Sequence, residues 1–474
     1  MLITFSHNTE TGVSGFPSFS LHAERNNGLA GWEELFIMPF YNLHFPDVSK
    51  KILEYRFKRL DNALKNASSF NIKGALFPWK SGIEGTEQSY REKYDPKTGE
   101  WLADMGYLQR HINISVAYNI IQYYKFTNDI DFLIQKGLPL LIEICRFWAD
   151  TVVFDRKKNR YEVKGVVGPD EYHTKLGSSY THGIDNNAYT NIMLIWLLKN
   201  TVDIISHNLK EKKDGVLQNY SLKKEELKKW SDISMFMKID VSDDEIIEQF
   251  SGFFDLIEVD WMTYRKKFPK LHNIDRILTV EGKSVNDYQI CKQADTLLPF
   301  YFLTPTEFRE ILLDSGYLFD PAFLDANFEY YFKRTVHSSL ISNAIHSLIA
   351  KHVNNDKLCY DMFNMALKEV FHNEYEETTS NGINMGVAGA LLNIVYLAFA
   401  GIQFKEDHLV VNPKLPSSWN KLEFKIFYRG NKLQFEFTKS HTLIKCIQQG
   451  EKIMIVDYNN KEIPLNENAE IELK

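Results

Sequence analysis

Cysteine is scarce in this chain. The four in 474 residues, Cys145, Cys291, Cys359 and Cys446, are widely scattered and have no metal-ligand spacing. Cys145 and Cys291 lie in apolar runs and read as buried thiols of a reducing compartment. Lys292 beside Cys291 is the one feature that would activate a thiol, and nothing else marks a nucleophile there. No grouping of His, Cys and carboxylates is spaced as a metal site, and no Gly-rich loop of nucleotide type occurs, so no metal and no redox or organic cofactor is expected. Positive charge is also short: 55 Lys and Arg against 62 Asp and Glu give a net charge of −7, which excludes the basic footprint of a nucleic-acid binder. The Lys-rich stretches 210–213 and 223–229 are interleaved with acids and read as solvated helix faces.

Residues 1–6 carry no basic region and no apolar stretch of signal-peptide type. The run Met385–Ile402, apolar except for Asn393, approaches the roughly 20 residues of a membrane span. Its Gly386, Ala388, Gly389 and Ala390 suit a tightly packed inner helix instead, so no membrane is expected and the address is cytoplasmic. What the chain does have is 44% hydrophobic and 25% charged residues, as a soluble globular protein has. Aromatics reach 14%, which suits both a large core and sugar-facing rings.

The most informative segment is Gly168-Pro169-Asp170-Glu171-Tyr172-His173, followed by Asp185-Asn186-Asn187-Ala188-Tyr189-Thr190-Asn191. A carboxylic acid here sits between a Pro-bounded turn and a helix whose Ala188, Ile192, Ile195, Trp196 and Leu198 recur at roughly helical spacing. Loops at helix entrances are where catalytic side chains concentrate. A glycosidic oxygen leaves poorly unless a positioned acid protonates it. On spacing alone, a plain turn with a helix cap is the better account of Asp170 and Glu171.

These strings resemble the signature of glycoside hydrolase family 65, the inverting α-glucoside phosphorylases and hydrolases. Further segments resemble the family in order: Trp32-Glu33-Glu34-Leu35-Phe36, Gly74-Ala75-Leu76-Phe77-Pro78-Trp79, Lys292-Gln293-Ala294-Asp295 and Thr335-Val336-His337-Ser338-Ser339-Leu340. The likeness runs from about Gly31 to about Gly430. It implies a mainly α fold, an (α/α)6 barrel followed by a small C-terminal antiparallel β domain. The expected boundaries are an irregular leader over 1–30, the barrel over 31–404 and the β domain over 405–474. Amphipathic runs at Val48–Leu64, Ile112–Tyr124, Leu138–Val152, Asn187–Ile205, Phe323–Thr335, Ser339–His352 and Asp356–Val370 fit successive helices. After Gly401 the period becomes two: Leu422, Phe424, Ile426 and Tyr428, a turn at 429–432, then Leu433, Phe435 and Phe437. Full-length family members carry an N-terminal β-sandwich that supplies a site loop and much of a dimer contact. This sequence begins almost at the barrel, so the expectation is a chain without that sandwich, with a homodimer as a possible state.

The resemblance assigns Glu171 as the general acid, which should have a raised pKa through burial or the adjacent Asp170. Trp79 would offer a ring to the sugar, Lys292 and Gln293 would line the same pocket, and Glu33 stands where the family has a sugar-binding Asp. Ser338 and Ser339, at the start of the helix after Leu340, would help hold inorganic phosphate as co-substrate or simply cap that helix. Asn384 replaces the family's phosphate-binding His, and an amide carries no positive charge. Hydrolysis would instead need a base, and Glu376 and Glu377 are the nearest candidates. The partner is thus a small α-glucoside, cleaved by phosphorolysis or hydrolysis. The alternative is a degenerate, non-catalytic relic of the fold that binds sugar or a partner.

Overall fold

The computed structural model describes residues 15–19, 28–95, 99–268, 271, 273–320, 322–371, 382–457, 461–467 and 470–473. The chain divides into two compact units. One comprises the residues up to Lys58, Tyr118–Leu138 and Asn354 onward; the other comprises Arg59–Ala117 and Pro139–Val353.

The second unit is helical, and its helices are of two kinds. Ala188–Asp203 is buried continuously from Ala188 to Leu198, and Ser342–His352 from Ser342 to Ala350. A helix buried on every side lies inside the fold, its polar groups included. Lys224–Met235 instead buries only Leu227, Trp230, Ile233 and Ser234, and Phe323–Arg334 buries one stripe ending at Tyr331. These one-sided helices cover the inner ones, as the hairpin pattern predicts. Local chemistry sets the helix ends. Asn187 accepts from the Thr190 amide at 3.0 Å, and the hydroxyl of Thr304 pairs reciprocally with Glu307 in a capping box.

In the first unit, Glu34–His44 packs closely against Met385–Ile394. A Cβ on Gly389 would meet the Ile37 Cα and the Phe36 carbonyl at 2.6 Å, so only glycine permits this approach. Asn393, the polar residue in that apolar run, donates to the Phe36 carbonyl at 3.0 Å. Among the described residues no helix is long and apolar enough to cross a membrane. Of the expected leader, residues 15–19 and 28–30 are described: Phe16, Ser18, Phe19 and Ala30 are buried, and Phe19 pairs with Asn384.

The β region holds two four-stranded sheets. Lys421–Tyr428, Asn431–Thr438 and Thr442–Gln448 form an antiparallel meander with Glu470–Leu473 at its edge. The two-residue turn has Arg429 at φ 49° and Gly430 at φ 78°, the positive pair that a tight hairpin matching strand twist requires. Leu433, Phe435, Phe437 and Ile444 are wholly buried, as period-two alternation demands. The other sheet departs from the antiparallel expectation. His408–Val411 and Met454–Asp457 pair in parallel, because the chain returns to them after the whole meander.

Two helix limits also differ from the sequence expectation. The run Val48–Leu64 is two helices, Pro46–Lys58 and Leu60–Ser69, broken at Arg59, whose guanidinium reaches the Ile83 carbonyl at 2.6 and 2.8 Å. The helix expected from Ser339 begins at Ser342.

Candidate functional site

Gly168 to Glu171 is a tight turn closed by the Glu171 amide donating to the Gly168 carbonyl at 3.1 Å. A Cβ on Gly168 would run into the Asp295 carboxylate and the Asn187 amide, so the turn can lie against them only as glycine. Glu171 has φ 62°, left-handed for a non-glycine residue, a strained conformation of the sort found where a side chain must be presented. The conformation turns its carboxylate outward. The Glu171 side chain is 39% exposed, whereas Asp170 beside it is 2% exposed.

Asp170 faces inward and ties two loops together. Its Oδ1 accepts the backbone amides of Lys292 at 2.5 Å and Gln293 at 3.0 Å. Its own amide donates to Asp295 Oδ1 at 2.8 Å, and Asn187 Nδ2 donates to Asp295 Oδ2 at 2.7 Å. Asn187 therefore does two things: it caps the inner helix and holds the carboxylate on which the turn rests. Burial, and then the charge of Asp170, push Asp295 well above the usual carboxylate range. His173 Nδ1 lies 3.6 Å from Asp170 Oδ2, while its Nε2 meets the Tyr288 carbonyl at 3.0 Å.

That clamp brings Lys292 Nζ to 2.6 Å from Glu171 Oε2; Gln109 Nε2 reaches Glu171 Oε1 at 3.0 Å. Desolvation is the largest influence on Glu171 and raises its pKa. The Lys292 ammonium, the Gln109 amide and Lys80 together outweigh it, so the carboxyl sits below its usual value. The expectation of a raised pKa thus fails for this ligand-free arrangement. The neighbour that matters is a lysine brought in by the fold, not the adjacent Asp170. Lys292 itself is held above its ordinary value: burial lowers it, and Glu171 more than compensates.

Trp79, 8% exposed, stands edge-on to His111 with ring centroids 5.2 Å apart. His111 meets Gln109 Oε1 at 3.2 Å, and burial lowers its pKa to about 3, leaving a neutral ring. Gln293 donates to the Pro169 carbonyl at 2.7 Å inside the turn, so its amide group is committed to loop structure rather than open to solvent. Ser338 caps no helix; its hydroxyl pairs with Tyr172 at 2.7 Å. Residues 335–336 reach this neighbourhood because Val336 and Arg334 bond the backbone of Cys291 at 2.9 Å. Ser339 contributes its carbonyl to the Ser342 amide. His337, between them in sequence, is left-handed at φ 52° and is driven neutral by burial and then by His346. Cys291 is no nucleophile: burial raises its pKa, and its thiol donates to Gln249.

The first unit carries the other two predicted positions. Glu33 accepts from the Ser18 hydroxyl at 2.6 Å. Asn384 accepts from the Val387 amide at 3.0 Å and so serves as the N-cap of Met385–Ile394. Glu376 and Glu377 lie outside the described residues. Among the described residues no group of three or more His, Cys, Asp or Glu could hold a metal ion.

Sequence reading brings together Glu171, Lys292 and Gln293 in one place, as the fold does. It misses Gln109, which belongs to no quoted motif and meets Glu171 only through folding. It also passes over the clamp role of Asp170 and Asp295, although both were in quoted strings.

Comparison with known proteins matches residues 1–393 to the glycosyl hydrolase family 65 central catalytic domain and residues 402–463 to the family's C-terminal domain. The trehalose 6-phosphate phosphorylase of Lactococcus lactis is 33% identical over 90% of this chain and 54% of its own length. The kojibiose phosphorylase of Caldanaerobacter subterraneus is 30% identical over 94% of this chain and 55% of its own. An uncharacterized glycosyl hydrolase of Mycobacterium tuberculosis is 33% identical over 94% of this chain and 33% of its own. The chain therefore spans from a third to just over half the length of these relatives. A solved human-microbiome protein, described as a candidate kojibiose phosphorylase, superposes on 100% of this chain and 64% of its own with a TM-score of 0.80 and 26% identity. That match carries the expected fold class, a helical barrel followed by a β domain. On the family matches and the ordered motifs together, the chain belongs to glycosyl hydrolase family 65.

Proposed function

We propose that this chain is the catalytic part of an inverting α-glucoside phosphorylase, with Glu171 as the general acid. The observation that carries the reading is the presentation of Glu171: a left-handed residue at the tip of a clamped turn, its side chain partly exposed yet desolvated by its surroundings, and held by Lys292 and Gln109. The proton of Glu171 passes to the glycosidic oxygen as the bond to the anomeric carbon breaks, and a phosphate oxygen bonds that carbon from the opposite face. The activities for which the relatives are named, phosphorolysis of trehalose 6-phosphate and of kojibiose, support phosphate over water as the nucleophile.

The ion pair with Lys292 leaves Glu171 ionised in the free protein. A sugar whose hydroxyls draw the Lys292 ammonium away removes the main influence opposing desolvation, so the Glu171 pKa rises toward holding its proton, with Gln109 and Lys80 still acting against it. Trp79 is assigned to the sugar wall, Lys292 to a sugar hydroxyl, and Ser338 and Ser339 to phosphate. Asn384 supplies only a neutral amide, one atom of which is spent on its cap.

The test is a release assay on wild type and Glu171→Gln with trehalose, trehalose 6-phosphate, maltose, kojibiose and nigerose, with and without inorganic phosphate. Glucose 1-phosphate formed by wild type and reduced roughly 10²- to 10⁴-fold in the variant is the expected result. Free glucose formed independently of phosphate would make the chain a hydrolase. Sugar binding without turnover in wild type would make it a non-catalytic relic.

A further inference from the structure

Glu171 is held by two donors of different kinds, and only one of them is free to leave. Lys292 Nζ, on a long flexible stem, meets Oε2 at 2.6 Å. Gln109 Nε2 meets Oε1 at 3.0 Å from a side chain that is anchored at its other end too. The backbone around Gln109 is fixed beside the turn. Its amide donates to the Gly106 carbonyl at 3.0 Å, and the Leu108 carbonyl accepts from the Val167 amide, one residue before Gly168, at 3.0 Å. Gln109 is 4% exposed, so its amide group has protein partners in place of water.

Chemistry sets the direction of each bond in this chain. An ionised carboxylate only accepts, so the amide nitrogen of Gln109 faces Glu171 and its oxygen faces away. That oxygen also only accepts, and it lies 3.2 Å from His111 Nε2, so Nε2 carries a proton and donates it. The His111 ring stands edge-on to Trp79 at 5.2 Å and to Tyr189 at 5.7 Å, which holds it in one orientation. Burial lowers its pKa to about 3, although the charge of Glu171 works the other way. The ring is therefore neutral, with its proton on the nitrogen that faces Gln109.

Once Glu171 takes up a proton, an unrestrained amide has a second option. It can rotate by half a turn, present its oxygen to the carboxyl and accept that proton, which would then stay within the protein. For Gln109 this rotation sets the amide NH2 against the His111 Nε2–H, donor against donor, where little water is present to relieve the clash. The neutral imidazole closes that option.

We propose that Gln109, locked by His111, is a positioning residue for the acid: it keeps Oε1 of Glu171 as a fixed acceptor and reserves Oε2 to carry and deliver the proton. The assignment deepens the reading of Glu171 as general acid and rests on it. Lys292 occupies Oε2 in the free protein, so the glycosidic oxygen comes to the place that the ammonium leaves. Oε2 takes a proton from solvent and passes it to the bridging oxygen, which keeps the electron pair of the breaking bond to the anomeric carbon. Glu171 returns to a carboxylate, and the Gln109 N–H already points at the charge that develops there.

The test reads Glu171 directly, by carbon-13 NMR titration of the glutamate carboxyls in the full chain without sugar. Its signal is identified by its absence from Glu171→Gln. Lys292 and Lys80 in front of the carboxyl and Asp295 behind the turn also act on it, and every variant compared keeps them. Gln109→Met removes a donor to the charged form, so Glu171 should titrate at higher pH. His111→Phe should move it upward as well, by unlocking the amide. The double variant should match Gln109→Met, because His111 acts only through Gln109. His111→Gln, whose amide nitrogen reaches the place of Nε2, should restore the wild-type titration. If His111→Phe unfolds, His111→Asn, which ends at the place of Nδ1, takes its part. On the sugar identified by the release assay, kcat should fall roughly 10- to 100-fold in Gln109→Met and His111→Phe with KM little changed.

An unchanged Glu171 titration in the unlocked His111 variant overturns the proposal, because His111 would then only fill space. So do shifts that add in the double variant, which would make the two residues independent. Turnover abolished by Glu171→Gln together with an unmoved titration keeps the acid and removes the lock. The expected titrations in a wild type that cleaves nothing sink the acid, and the delivery step with it, while the lock on Oε1 stands.

Discussion

Replacing Asp170 separates a functional clamp from an ordinary turn. Its Oδ1 accepts two amides, those of Lys292 at 2.5 Å and Gln293 at 3.0 Å, and the residue is 2% exposed. Asp170→Ala leaves two donors without an acceptor where water has little access. At about 1–3 kcal/mol for each buried unsatisfied group, the expected local loss is about 2–6 kcal/mol. Asp170→Asn keeps an oxygen in the same place and should lose far less. Because Lys292 and Gln293 are positioned through those bonds, a shift near 1 Å should lower kcat/KM by roughly 100-fold in the alanine variant. Two measurements check this: kcat/KM on the sugar identified by the release assay, and amide hydrogen exchange of the segment around residues 289–296. Exchange there should rise sharply in Asp170→Ala and little in Asp170→Asn. Equal activity and equal protection in the two variants would refute the argument, since the carboxylate bonds would then not hold the lysine.

Lys292→Met removes the principal cation that depresses Glu171, so the carboxyl pKa rises. An acid that must be protonated then works to higher pH, and the alkaline limb of kcat/KM against pH should move upward even as its height falls. Gly168→Ala drives a Cβ into the Asp295 and Asn187 pair and should cost activity on the order of 100-fold, with the melting of the whole chain changed much less. In the first unit, Arg56 pairs with Glu34 at 2.7 Å, the two side chains being 1% and 4% exposed. Arg56→Met strands that carboxylate and should destabilise by roughly 3–5 kcal/mol in urea denaturation. Desolvation already raises the Glu34 pKa above 4.5 despite Arg56, so the folded form holds its proton longer than the unfolded chain. The sign follows: the contribution is most favourable below the unfolded pKa and is lost as pH rises through the folded one. The deficit of Arg56→Met should therefore be larger at pH 8 than at pH 5.

The sequence by itself determined those features that depend on neighbours in the chain. Period-two alternation over 421–438 makes two strands because side chains on a strand point alternately inward and outward, and Leu433, Phe435 and Phe437 occupy the inner positions. Asn187 before an apolar run caps a helix by reaching an amide three residues on. Glycine and apolar residues over 385–394 make a helix that can lie directly on another backbone. The ordered motifs placed the candidate acid at Glu171, whose exposure fits that role.

Only the tertiary structure decided the electrical state of that acid. Residues far apart in sequence, Gln109, Glu171 and Lys292, meet because the Asp170 clamp joins two loops. Adjacency suggested that Asp170 would raise the pKa of Glu171, yet the backbone turns one side chain inward and the other outward, and a lysine governs the result. The pairing of His408–Val411 with Met454–Asp457 was equally illegible, since no local pattern encodes which strand a returning chain will join. Arg91 and Arg110 belong to no motif quoted from the sequence. Folding sets both beside Gln109, the side chain that reaches the acid. Charge interactions act through space and desolvation depends on everything packed nearby, so neither is written in local spacing.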